Sequence, residues 1–144
     1  MPNIRVSADG ATLTLNGRII DDLVEGDSIE MAPANPNTAH VNGVRPNSVA
    51  ITNRSDRNVH DLTVRVLKFS EDDTFLNSIR NQEFPEVIEG SLKESFVRDG
   101  ADAEESWILE QGSITDQPTE TKNTQDGNAT MQYVIRFRNA VRGL

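Results

Sequence analysis

A mainly β domain, either a β-sandwich or a partial barrel with one short α-helix on its flank, is what the 144-residue sequence predicts. Three observations carry that expectation. Apolar and polar residues alternate in short runs, most cleanly at Met131, Tyr133, Ile135 and Phe137 against Thr130, Gln132, Val134, Arg136 and Arg138, the period of a sheet with one wet side. Turn-forming pairs such as Asp9-Gly10, Asn16-Gly17, Asn42-Gly43 and Asp126-Gly127 punctuate these runs. One segment, Val59 to Arg80, runs as an alternating strand straight into a helix start.

In chain order, Ile4–Ala8 and Ala11–Leu15 read as a hairpin about Asp9-Gly10, and Asn16-Gly17 gives a second reversal or a bulge before Arg18-Ile19-Ile20. Asp21–Asp27 is an acidic connection, and Ser28–Ala32 alternates with Ile29 and Met31 on one face. From Pro33 to Pro46 three prolines remove backbone donors and Asn35, Asn37, Asn42 and Gly43 favour turns. So long a loop is usually functional. It is expected to be a contact arm, with Asn42-Gly43 at the tip of a small projecting hairpin, and deletion of Pro33 to Pro46 is expected to impair stacking of copies more than folding.

Ser48–Thr52 is a strand, and 53–58 is a polar turn into the strand Val59–Phe69. Ser70-Glu71-Asp72-Asp73 then starts a helix: the hydroxyl accepts an orphan amide hydrogen and the acids complement the positive end of the dipole. Phe75, Leu76 and Ile79 form its apolar stripe, and Pro85 stops the run. Glu86–Val97 and Glu105–Ile114 are strands joined by an acidic turn over 98–104, with Trp107, Leu109 and Gln111 on one face. Thr115–Asn128 has almost nothing to bury and reads as an exposed loop. Thr130–Arg138 is a strand, and Ala140–Leu144 a short tail. No repeat or composition break divides the chain, so residues 1–144 are expected to be a single domain with projecting loops at about 33–46 and 115–128.

Composition narrows the function. Hydrophobic content of 35% and aromatic content of 5% leave a modest core, which suits a protomer completed by neighbours. No run approaches the roughly 20 apolar residues of a membrane span, and Met1-Pro2-Asn3-Ile4-Arg5 lacks the apolar stretch of a signal peptide. No membrane anchor is therefore expected. The absence of cysteine removes disulfide and thiolate chemistry. A net charge of −9 opposes ordinary binding to nucleic-acid phosphates. It fits best with acids that simply keep an abundant protein in solution, and is also compatible with a surface that DNA must pass without sticking.

Chemistry is sparse. His40 and His60 have no His or Cys partner at ligand spacing, so no metal is expected. There is no nucleophile elbow and no phosphate-cradling glycine loop. Glu71, Asp72 and Asp73 are accounted for by the helix dipole. No catalytic residue, metal or cofactor is assigned, and the chain is expected not to be an enzyme.

The segment Leu62-Thr63-Val64-Arg65-Val66-Leu67-Lys68-Phe69-Ser70-Glu71-Asp72-Asp73-Thr74-Phe75-Leu76 resembles the strand-to-helix unit of the tail tube proteins of contractile-tailed bacteriophages. Ala11–Gly17, Leu23–Glu30 and the closing strand Met131–Arg138 are similar to that family's first strand and turn, its second-strand opening and its C-terminal strand. The resemblance implies the phage tail tube fold and a structural subunit of the virion tail, assembled in the host cytoplasm. It implies hexameric rings whose inner sheets join into a continuous β-barrel, stacked inside a sheath and bounded by baseplate and tail-terminator proteins. DNA would pass through the lumen without specific binding. Under it, Pro33, Pro36, His40, Asn42, Arg45, Arg136 and Arg138 are candidate inter-subunit or inter-ring contacts, and Glu30, Glu94, Glu105 and Glu110 are candidate lumen acids.

Two kinds of alternative remain at this point. The same fold serves tubes of type VI secretion systems and phage-tail-like bacteriocins. A monomeric β-sandwich binding module using Trp107 and Tyr133, or a carboxylate-based hydrolase, has less support: both aromatics fall at core-facing positions, whereas sugar platforms need exposed rings.

Overall fold

The computed structural model describes residues 3–120 and 129–144. Its strands are β1 (Ile4–Leu15), β2 (Arg18–Ile20), β3 (Ile29–Pro33), β4 (Ala39–Asn42), β5 (Ser48–Ile51), β6 (His60–Leu67), β7 (Ile88–Arg98), β8 (Ala101–Ile114), β9 (Thr119–Glu120) and β10 (Thr130–Gly143), and α1 covers Glu71–Arg80. Eight strands make one antiparallel sheet in the order β2-β1-β7-β8-β10-β6-β3, with β9 also on β10. β4 and β5 pair apart from it as a two-stranded sheet.

The main sheet is open, and it curls. Its edge strand β2 leads into Asp22–Val24, which reaches β6 at the other end: Leu67 N–H donates to Asp22 O (2.8 Å), Val24 N–H donates to Arg65 O (3.2 Å), and Leu23 lies opposite Val66. The mainly β expectation holds, in its partial-barrel form. One apolar cluster fills the concave side. Leu13, Leu15 and Ile20 meet Leu62, Val64, Val66, Leu109, Tyr133, Ile135 and Phe137 there, capped by Leu76 and Ile79 of α1. The alternation of β10 and the stripe on α1 place these residues as expected.

Four local expectations are corrected. Asp9-Gly10 does not reverse the chain; β1 runs through a wide bulge between Val6 and Ala11, with both halves paired to β7. The long partner strand gives both halves one continuous ladder, which a short isolated hairpin lacks. The acidic stretch 98–104 is not a loop: Asp99 and Gly100, at φ 52° and 80°, form the whole reversal between β7 and β8, as positive φ at both central residues suits a hairpin turn. The tail Ala140–Leu144 is mostly strand, because β8 pairs with β10 as far as Gly143. Within the 33–46 loop, Pro33 belongs to β3 and Ala39–Asn42 to β4. The turn at Asn16-Gly17 is borne out, at φ 49° and 80°. Of the 115–128 loop, 121–128 lies outside the described residues.

Two glycines mark places where the sheet admits no side chain. A Cβ on Gly90 would lie 1.8 Å from the carbonyl oxygen of Thr14, and one on Gly112 would lie 2.4 Å from the Phe137 ring packed over it. Gly112 and Phe137 face each other across β8 and β10. Since backbone cannot yield as a flexible side chain can, Gly90→Ala is expected to cost about 2–3 kcal/mol. A chemical-denaturation midpoint unchanged from wild type would contradict this reading of the β1–β7 contact.

Candidate assembly surfaces

The helix is fastened to the sheet by two of its first-turn acids. Ser70 Oγ accepts the Asp73 amide hydrogen (3.2 Å) as the cap. Asp73 in turn accepts from the Phe69 amide (3.0 Å) and from the Tyr133 hydroxyl (2.6 Å). Burial first, and then this carboxylate, push the Tyr133 hydroxyl well above the usual phenol range. Tyr133 is fully buried, which removes it as a sugar platform. Trp107 is half-buried against the core, with the His60 ring edge-on to it at 5.2 Å.

Asp72 is fully buried and accepts three hydrogen bonds, from Arg18 Nε (2.8 Å) and the amides of Asp21 (2.9 Å) and Asp22 (2.8 Å). Burial alone would raise its pKa. The Asp22 amide, Arg18 and the Asp21 amide outweigh it, so the carboxyl sits below its ordinary value. The carboxylates of Asp21, Asp22 and Asp72 lie within 4.8 Å of one another, but Asp72's oxygens are already bonded within the fold. Its role is to tie β2 and the closing segment 21–22 to the helix. Sequence reasoning credited these acids to the dipole alone; the missed signal was a buried-facing tyrosine on β10 in need of an acceptor.

The side of the sheet away from the helix is wet, and two of the candidate lumen acids lie on it. Glu30, between the core-packed Ile29 and Met31, and Glu110, beside buried Leu109, face solvent with Arg65, Arg136 and Arg138. Glu94 and Glu105 stand directly opposite each other on β7 and β8, on the face shared with Leu92 and Trp107. Arg142 binds Glu105. The four acids therefore do not form one surface. Arg136 is held within the chain by both oxygens of Asp61 (2.8 and 3.0 Å), and Arg138 is exposed beside it.

The hairpin β4–β5 carries the remaining candidates. Val41 faces Val49 and Ala39 faces Ile51, while His40 and Asn42 lie opposite Ala50 and Ser48 on the other side. Arg45 is in the connecting turn, and Pro36 lies in the exposed link from β3. The link is anchored where Ala34 N–H donates to Val59 O (2.9 Å). Val41, Val49 and Ile51 are 58%, 66% and 47% exposed, and Val44 at the tip is fully so. This is an amphipathic hairpin whose apolar side is uncovered.

No protein-family model matches the chain, and no curated protein matches it. Solved structures do. A chain from an extracellular contractile injection system, the PVC sheath/tube terminator in its extended state, aligns at TM-score 0.65 and 10% identity over 97% of each chain. A chain from the tube-terminating cap of the anti-feeding prophage aligns at 0.66 and 13% identity, over 96% of this chain and 91% of that one. A chain from the PVC sheath–tube complex aligns at 0.62 and 10% identity over the same shares. The likeness is one of fold.

That fold leaves two strand edges open. Among the described residues, β2 covers β1 at Leu13–Leu15, leaving Ile4–Thr12 without a strand on that side, and β3 pairs with β6 alone. Open edges at opposite ends of one sheet invite pairing with another chain. A further exposed aromatic, Phe69, is 84% accessible and held at φ 67°, a conformation that bulky residues rarely adopt.

Proposed function

We propose that this chain is a structural subunit of a contractile tail or contractile injection particle, one that builds a ring of the tube and has no catalytic role. The observation that carries the reading is fold likeness over nearly the whole chain to components of contractile injection systems. The open edges and the uncovered hairpin agree with it. Pairing β3 of one copy with the exposed edge of β1 on the next is a head-to-tail contact, which closes into a ring at a suitable rotation. Six copies per ring follow the tube proteins that the sequence resembles. The wet face of the sheet then lines the channel, α1 lies outside towards a sheath, and β4–β5 reaches the next ring.

In a phage, the tube would be part of the virion, assembled in the host cytoplasm between baseplate and terminator proteins, and DNA would traverse it. In a secretion system or bacteriocin the same subunit would serve another machine. A second reading has its own support: two of the similar structures are described as a terminator and a terminating cap. A terminating ring ends a tube, whereas a tube subunit repeats.

Negative-stain electron microscopy of the purified protein, with light scattering on the same sample, separates these readings. Hollow tubes are expected for a tube subunit, and rings that do not stack for a terminator. A monomer at high concentration that adds neither to a baseplate seed nor to a tube end would overturn both.

A further inference from the structure

The wet face departs from the charge of the whole chain. The sequence has 23 acidic and 14 basic residues. Around β10, however, the solvent face of β3, β6 and the paired part of β8 sets Glu30, Asp61 and Glu110 against Arg65, Arg136 and Arg138. Arg138 is exposed two residues on from Arg136, next to the core-facing Phe137 and just before the break in the alternation of β10. Arg65 lies on the neighbouring strand, opposite Gln132. Arg65 is therefore four residues, roughly 13 Å, along the ladder from Arg136, and guanidiniums spaced in this way along one polar face suit successive phosphates of a polyanion, whose oxygens each can bind in a forked pair. Asp61 occupies the fork of Arg136. Arg65 is turned into the chain, with NH1 on Asp27 O (2.6 Å), Nε on Gln132 (3.1 Å) and Glu30 3.8 Å from NH2. Asp116, in the loop after β8, adds a more distant negative charge.

We propose that Asp61 and Glu30 are charge masks over a latent polyanion-binding row formed by Arg65, Arg136 and Arg138. Arg136 and Arg65 cross-link β10, β6 and the 27–30 segment, and the acids keep that reinforcement from becoming a phosphate trap. The use of this device in a channel rests on the conduit reading above. The binding measurement is made on unassembled protein and does not depend on ring formation.

The test is fluorescence anisotropy with a short labelled DNA duplex at about 50 and 200 mM salt. Asp61→Asn combined with Glu30→Gln is expected to bind at least roughly tenfold tighter than wild type at the lower salt and to release at the higher. Adding Arg136→Gln and Arg138→Gln should return binding to the wild-type level. Glu83→Gln with Glu86→Gln changes net charge equally at exposed positions in the link between α1 and β7 and should leave binding unchanged. Glu30→Gln alone, at an exposed edge position, gives a partial increase without risk to the fold. No gain in either masked-acid variant, an equal gain in the Glu83/Glu86 control, or a gain that survives loss of the arginines would overturn the proposal.

Discussion

Replacing Asp72 with alanine is expected to cost about 3–5 kcal/mol of folding stability. The carboxylate is fully buried, so what the substitution leaves behind matters more than what it removes. Arg18 keeps access to water and can rehydrate. The amides of Asp21 and Asp22 lose their acceptor inside the fold, and each stranded donor costs about 1–3 kcal/mol. The damage is also topological. These amides hold the chain that carries the open end of the sheet from β2 across to β6, so the barrel should loosen at its seam. Asp72→Asn, which keeps one acceptor oxygen and loses the charge, should fall between wild type and alanine in thermal melts. Equal melting of wild type and Asp72→Ala would refute the seam reading.

The same contact has a pH signature. The Asp72 carboxyl lies below its ordinary value of 3.8 in the folded state, so its contribution is complete above that value and is lost as pH falls through the lowered one. Asp61, lowered chiefly by the Arg136 hydrogen bond, acts in the same direction. Stability should therefore drop below about pH 4, and Asp72→Asn should flatten that drop in part, leaving the Asp61 share.

The elements legible in the sequence are those specified by short-range chemistry. Ser70 announced the helix because a cap acts over three residues, Asn16-Gly17 announced a reversal because both need positive φ, and Met131–Phe137 announced a core face because the pleat has period two. Elements set by a distant partner were hidden. Asp9-Gly10 carries turn chemistry, yet β7 turns it into a bulge. Ala140–Gly143 looks like a tail because Phe137 and Ala140, three apart, are both buried across an irregularity that breaks the alternation. The surfaces were legible to a different degree. The 33–46 stretch was recognisable as turn-rich from its prolines and asparagines, but the strand it holds, Ala39–Asn42, pairs outside it, with Ser48–Ile51. The acids at 71–73 were visible as charge and opaque as anchors, since Arg18, Asp21, Asp22 and Tyr133 meet them only in space.

Pairing a glutamate at position 41 with a lysine at position 49 is expected to abolish the stacking of rings while leaving the fold and ring closure intact. Val41 and Val49 face each other across the hairpin, so Val41→Glu with Val49→Lys keeps a favourable cross-strand pair. The hairpin forms its own sheet, and exposed substitutions of this kind usually change stability by within about 0.5 kcal/mol. Association is different, because each buried valine or isoleucine contributes about 1.5–3 kcal/mol and the apolar side of the arm carries three, with Val44 at its tip. Two charges placed there would have to be desolvated on contact. The substitutions are also a sharper probe than removal of Pro33–Pro46, since Pro33 pairs with His60 in the main sheet and that deletion would fray β3 and strand β5. Light scattering and electron microscopy should show stacked wild-type assemblies and unstacked variant rings, with matching melting curves. Tubes of normal length from the variant would show that β4–β5 is not the arm that joins one ring to the next.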